Sequence, residues 1–263
     1  MKIQNITNYL EELAPLSYAE GFDNVGLLIG DHTTEVTGVI VTLDSLEATV
    51  DEAIAKNCNL IISFHPIIFG GLKKLNGSTY VERVVIKAIK NNIAIYAMHT
   101  ALDNIKNGVS GKICEVLGLK NTEILIPKSN LHTQEMIGMG MIGELNSEMN
   151  EVEFLQFIKT TMKTACIRHS EFLGKPIKKV AVLGGSGSFA IENAIALKAD
   201  AYISSDFKYH DFFKAEKQLL LADIGHYESE QFTKNLLVEY LTKKFTNFAI
   251  ILSQKSTNPI YYI

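Results

Sequence analysis

Tryptophan is absent from this chain, cysteine occurs three times and proline five times in 263 residues. Cys58, Cys114 and Cys166 are odd in number and form no C-x-x-C pair, so a disulfide framework is excluded and buried, reduced thiols are expected. No window approaches the roughly 18 consecutive apolar residues of a membrane span. The first residues, Met1-Lys2-Ile3-Gln4-Asn5, run into a helical face of Ile3, Ile6, Leu10 and Leu13 broken by polar groups, so a secretory leader is not expected. Basic residues number 25 against 29 acidic ones, a net charge of −4, and no long basic run occurs. That balance argues against a grip on nucleic acid through phosphate neutralisation. G-x-S-x-G and the GK[ST] element of a phosphate loop are both missing, as are fixed-period repeats and low-complexity tracts. A cytoplasmic protein without nucleic-acid or membrane partners is the expectation.

What is present reads as an α/β protein. Hydrophobic residues make up 47% and charged residues 21%, near the average globular chain, and the length suits one large or two modest domains. Strands are expected at Val36–Leu43, Leu60–Ile62 and Ile93–Ala97. Helices are expected behind the cap-like Asp44-Ser45-Leu46-Glu47 (stripe Leu46, Val50, Ile54) and over Val81–Lys90, with Val84, Val85, Ala88 and Ile89 inward. Pro15–Gly30 reads as loop, with Asp23-Asn24 and Gly26 as turn formers. Gly118 to about Gln134 reads as a junction. Beyond it, helices are expected at Val152–Met162, Phe189–Leu197 and along Phe232/Leu236/Tyr240. Strands are expected at Val180–Leu183, Ala201–Ser204, Leu219–Ala222 and Phe248–Leu252. Such alternation implies mainly parallel sheets flanked by helices.

Polar groups gather where strands end. Leu60-Ile61-Ile62-Ser63 leads into Phe64-His65-Pro66, and Ile93–Ala97 leads into Met98-His99 and then Asp103. Ligands of open parallel sheets bind at the carboxyl ends of strands, and imidazole with carboxylate is the donor mixture that borderline divalent metals favour. His226 and Glu230 follow a later strand and, four apart at a helix start, share one face. An acidic helix start complementing the macrodipole is the plainer reading of the same residues, with Glu228 solvated or capping. Asp206 and His210 form another polar cluster at a strand end. Gly185-Ser186-Gly187-Ser188-Phe189-Ala190 fits G-x-G-x-x-A, with Asp206 21 residues after Gly185, which is the spacing of a dinucleotide fingerprint. A tight turn at the glycines is the alternative.

Taken in order, Phe22-Asp23-Asn24-Val25-Gly26-Leu27, Ser63-Phe64-His65-Pro66-Ile67-Ile68-Phe69, His99-Thr100-Ala101-Leu102-Asp103 and Gly225-His226-Tyr227-Glu228-Ser229-Glu230 resemble one family. It is that of the GTP cyclohydrolase 1 type 2 homologues, also described as NGG-one-interacting-factor-three-like proteins. The resemblance implies two α/β domains with a two-metal centre in the cleft between them, and a ring-shaped homo-hexamer. The expected division is 1–128, completed by 226–263, and 129–225, with only a short linker where relatives carry an inserted domain. Carried over by position, His65 and Asp103 hold the first metal, His226 the second, and Glu230 bridges both. The family usually reads His-His-Pro where this chain has Phe64-His65-Pro66, so the second metal loses a ligand. His99 replaces it, or water does, or one ion binds tightly; one firm and one weak site are expected for zinc, iron or manganese. The resemblance implies a metal-dependent hydrolase acting on a purine nucleotide such as GTP, with Asp206, His210 or His99 as catalytic proton carriers. A non-catalytic metal-binding scaffold and a dinucleotide-dependent oxidoreductase are the alternatives.

Overall fold

The structure, a computed structural model, describes residues 1–129 and 136–263. In chain order the first elements are α1 (Ile3–Leu13), β1 (Gly26–Ile29), β2 (Val39–Thr42), α2 (Glu47–Ala55), β3 (Leu60–Ser63), α3 (Tyr80–Lys90), β4 (Ala94–Ala97) and α4 (His99–Asp103). Then come α5 (Val109–Leu117), β5 (Lys120–Ser129), β6 (Met136–Met149), α6 (Glu151–Thr161), β7 (Arg168–His169), β8 (Ile177–Ser186) and α7 (Ile191–Ala196). β9 (Ala201–Ser205), β10 (Leu220–Asp223), α8 (His226–Glu230), α9 (Thr233–Lys244) and β11 (Ile250–Leu252) complete the series. The chain divides into two compact units: Met1–Leu102 with Thr233–Pro259, and Asp103–Phe232 with Ile260–Ile263. Among the described residues no helix is long and apolar enough to cross a membrane.

The first unit holds a five-stranded sheet in the order β1-β4-β3-β2-β11. β4, β3, β2 and β11 run parallel, and β1 pairs antiparallel with β4. β2, β3 and β4 are buried along their whole length, as the runs Val-Ile-Val-Thr, Leu-Ile-Ile-Ser and Ala-Ile-Tyr-Ala demand of strands covered on both faces. Ile40, Ile61 and Ile95 pack with Val50 and Ala53 of α2 and Val84, Val85 and Ala88 of α3. On the other face Tyr96 donates its hydroxyl to Glu11 of α1 at 3.1 Å. Each fully buried Ile or Leu here contributes roughly 1.5–3 kcal/mol relative to exposure.

A six-stranded sheet, β5-β6-β8-β9-β10-β7, forms the second unit. β8, β9 and β10 are parallel neighbours, while β5–β6, β6–β8 and β10–β7 are antiparallel, so this sheet is mixed. Val180, Val182, Ile203 and Ala222 face Ile113 of α5 and Phe154 and Ile158 of α6. Ala181, Leu183, Tyr202 and Leu221 face Ile191 and Ala194 of α7. Asn150 and Glu153 cap α6 reciprocally, and Gly118 ends α5 in the left-handed region at φ 68°.

Several sequence expectations change. The loop expected over Pro15–Gly30 contains β1, and the junction expected from Gly118 contains β5; its stretch 130–134 lies outside the described residues. Ile54 and Ile89 are exposed rather than inward, because α2 and α3 turn Ala53 and Ala88 to the sheet. Leu237 and Leu241, not Phe232, Leu236 and Tyr240, are the buried stripe of α9, and Tyr240 instead stacks on Tyr9 at 4.3 Å. Cys58 and Cys114 are buried, but Cys166 is exposed. Burial pushes the Cys114 thiol up to about 12.

Candidate metal centre

Parallel register places three polar residues at one edge of the first sheet. Thr42, Ser63 and Ala97 are partners across β2, β3 and β4, and Asp44, His65 and His99 each stand two residues beyond them. Backbone bonds carry the register past the strand ends: His65 N–H donates to Leu43 at 2.9 Å, and His99 N–H to Phe64 at 2.9 Å. His65 Nδ1 lies 2.8 Å from Asp44 Oδ1, and the Thr257 hydroxyl donates to Asp44 Oδ2. Asp44 was expected as a helix cap; α2 has Leu46 at that position and no side-chain cap bond.

His99 is held in the same way. Its Nδ1 is 2.8 Å from Asp23 Oδ1, and Asp23 Oδ2 accepts from the backbone N–H (3.0 Å) and the hydroxyl of Thr100. Burial works to raise the Asp23 pKa, but hydrogen bonds from His99 and Thr100 and the His99 charge outweigh it and hold the carboxyl at about 2. The His65 and His99 rings are 5.3 Å apart, and the buried Phe64 ring packs against both at 4.8 and 5.5 Å. Phe64 offers no donor atom.

In the second unit, α8 follows β10 through Gly225, at φ 92°. His226 and Glu230 share a face of this helix, with Nε2 and Oε2 3.2 Å apart, and Nδ1 of His226 is 2.7 Å from Asp206 Oδ2. Burial lowers the His226 pKa, but the hydrogen bonds and charges of Asp206 and Glu230 prevail and raise it to about 11. The Glu230 side chain is 4% exposed. Gly185, at φ 73°, makes room for it: a Cβ there would stand 2.4 Å from Glu230 Oε1.

The same contacts account for the residues of the G-x-G-x-x-A run. Gly185 accommodates Glu230, a Cβ at Gly187 would meet Ser204 Oγ at 2.0 Å, and Asp206 is bound to His226. Only a short 3-10 turn and the six residues of α7 follow, not the long helix whose N-terminus receives a pyrophosphate. Glu228, expected in solvent or as a cap, is 7% exposed and so not solvated. His210 is exposed and packs edge-on against Tyr209 at 5.2 Å. Asp103 closes α4, half-buried.

The donors fit a divalent ion. Within the second unit His226 and Glu230 supply imidazole nitrogen and carboxylate oxygen, the mixture suited to zinc, iron or manganese, and in the first unit His65 offers a further imidazole nitrogen. Asp44 and Asp206 occupy Nδ1 of the two histidines, which is how metal-ligating imidazoles are ordinarily held, with Nε2 left to the ion. Sequence reasoning missed Asp44, Asp23, Thr100 and Thr257. Asp44 could have been found by the strand-end rule that marks His65 and His99.

A family model described as Duf34/NIF3 (NGG1p interacting factor 3) matches residues 1–259. The chain belongs to the Duf34/NIF3 family. Among curated relatives, a Clostridium perfringens protein named GTP cyclohydrolase 1 type 2 homolog is 33% identical, with all of both chains covered. A solved structure titled as a Bacillus cereus protein related to NIF3 superposes with TM-score 0.93 at 27% identity, covering 100% of this chain and 99% of that one. A Staphylococcus aureus hypothetical protein superposes with TM-score 0.91 at 32% identity and the same coverage. In this Duf34/NIF3 member the fold is thus that of its relatives, and the strand-end histidines lie within the matched length.

Proposed function

We propose that the chain is a divalent-metal-dependent hydrolase acting on a purine nucleotide such as GTP, with His65, Asp103, His226 and Glu230 as metal ligands. The His226–Glu230 pair carries the reading: an imidazole nitrogen and a buried carboxylate oxygen 3.2 Å apart suit one ion about 2.1 Å from each. A bound ion would lower the pKa of a water and polarise the bond that water attacks. Asp206 holds the proton on Nδ1 of His226, so its Nε2 faces Glu230. His99, anchored through Nδ1, keeps Nε2 for proton transfer, the role also proposed for Asp206 or His210. The nucleotide substrate is supported by the name that the Clostridium relative carries.

Because Phe64 brings no donor to the His65 side, one tight and one weak ion per chain are expected, in a homo-hexamer. Equilibrium dialysis with zinc or manganese tests the first point, and two tight equivalents would refute it. Metal-replete protein is then assayed with GTP, other nucleotides and phosphodiesters. Turnover lost in His226→Ala supports the hydrolase; metal without any turnover moves the reading to a metal-binding scaffold in the cytoplasm.

A further inference from the structure

Thr257 lies on the stretch after β11, 213 residues from Asp44, yet its hydroxyl donates to Asp44 Oδ2 while Oδ1 receives His65 Nδ1. The stretch is itself fastened. Ser253 N–H donates to Val41 of β2 at 2.9 Å, and Glu52 of α2 accepts from the Ser253 hydroxyl at 2.6 Å and the Gln254 N–H at 2.9 Å. A carboxylate whose two oxygens are taken by two donors cannot rotate about its terminal bond without breaking one of them. The ring that donates to it is then fixed in orientation as well as in tautomer. The same arrangement occurs a second time in this unit: the Thr100 hydroxyl donates to Asp23 Oδ2, and Oδ1 of that carboxylate receives His99 Nδ1. Two Thr–Asp–His relays, assembled from unrelated stretches of chain, serve the two histidines that follow β3 and β4.

We infer that Thr257 is a positioning residue for His65, acting through Asp44 so that Nδ1 carries the proton and Nε2 presents a lone pair, and that Thr100 does the same for His99 through Asp23. The C-terminal stretch thereby sets the donor state of a histidine more than 190 residues away. What Nε2 of His65 binds rests on the proposed function; the relay itself does not.

The test uses the metal-free chain, labelled with nitrogen-15 and held near pH 8, about 1.5 units above the ordinary imidazole pKa. Long-range proton–nitrogen spectra read the tautomer of each histidine. His65 and His99 are expected to be protonated at Nδ1. Thr257→Val, close in shape to threonine, is expected to convert His65 alone to a tautomer mixture, Thr100→Val to convert His99 alone, and Thr257→Ser to restore the wild-type spectrum. Asp44→Asn provides a second route to the same change at His65, and a thermal melt of each variant certifies the fold. Zinc competition against a chromophoric chelator supplies the other readout, with Thr257→Val weakening zinc by about ten- to hundredfold and Thr100→Val leaving it unchanged. A His65 protonated at Nε2, or a Thr257→Val protein with wild-type tautomer and zinc affinity, overturns the inference. Wild-type protein that shows the expected tautomers but holds no zinc upholds the relay and overturns the metal reading instead.

Discussion

His65 and His226 each meet a carboxylate through Nδ1, at 2.8 and 2.7 Å, but the two carboxylates are held by different means. In the first unit Asp44 has ordinary backbone geometry and is anchored by a side chain, the Thr257 hydroxyl. In the second, Asp206 stands in the left-handed region at φ 59°, and Gly185 and Gly225 also take positive φ, at 73° and 92°. A histidine oriented by hydroxyls responds to loss of one polar atom. A histidine oriented by backbone shape responds to addition of one carbon.

The largest effect is therefore expected at Gly185. Gly185→Ala forces a Cβ against Glu230 Oε1 in a conformation that alanine disfavours. Unfolding in urea should show a loss of roughly 2–3 kcal/mol, and bound metal should fall below detection. A wild-type urea midpoint in that variant would break the comparison from the second unit's side.

Asp44→Asn comes next. It keeps the shape and removes the charge that orients His65, so metal affinity should fall about ten- to hundredfold in a chelator competition, with a melt near wild type. The first unit would then depend on side-chain chemistry, as the comparison holds.

Acid sensitivity comes third. The folded Asp23 carboxyl, held at about 2, lies below its ordinary 3.8, so its contribution is complete above pH 3.8 and disappears as pH falls through the folded value. With solvent screening allowed for, this amounts to roughly 1–2 kcal/mol. Between about pH 4 and pH 2 the wild type should lose that much more stability than Asp23→Asn; parallel curves would dissociate Asp23 from the His99 relay.

The smallest difference separates two exposed substitutions. Asn tolerates the left-handed region and Ala does not, so Asp206→Ala should be less stable than Asp206→Asn by about 1 kcal/mol. Chemical unfolding of the two proteins checks this.

The strands legible in the sequence are those covered on both faces. β2, β3, β4, β9, β10 and the Val180–Leu183 part of β8 read as apolar runs, because burial on two sides leaves no polar alternation. β1 was hidden by its setting: an antiparallel neighbour of β4 at the sheet edge, it begins at Gly26, one residue past Asp23-Asn24, and all three read as turn formers. β6 carries Gly138 and Gly140 at positive φ, a pattern that does not announce a strand. At the candidate centre, His65, His99, His226 and Glu230 were legible from strand ends and helical spacing. Asp44 lay within reach of the same strand-end rule, but an aspartate three residues before a glutamate also reads as a helix cap, and that reading hid its contact with His65. Thr257 could not be found from spacing at all, since only the tertiary fold brings it to Asp44.

The proposal that His65, Asp103, His226 and Glu230 are ligands of a divalent ion is tested most directly by elemental analysis of untagged protein prepared without chelator. One tight equivalent of zinc, iron or manganese per chain, lost in folded Glu230→Ala and His65→Ala proteins, is the expected result. No metal in the wild type, even after loading with each of the three, would contradict it.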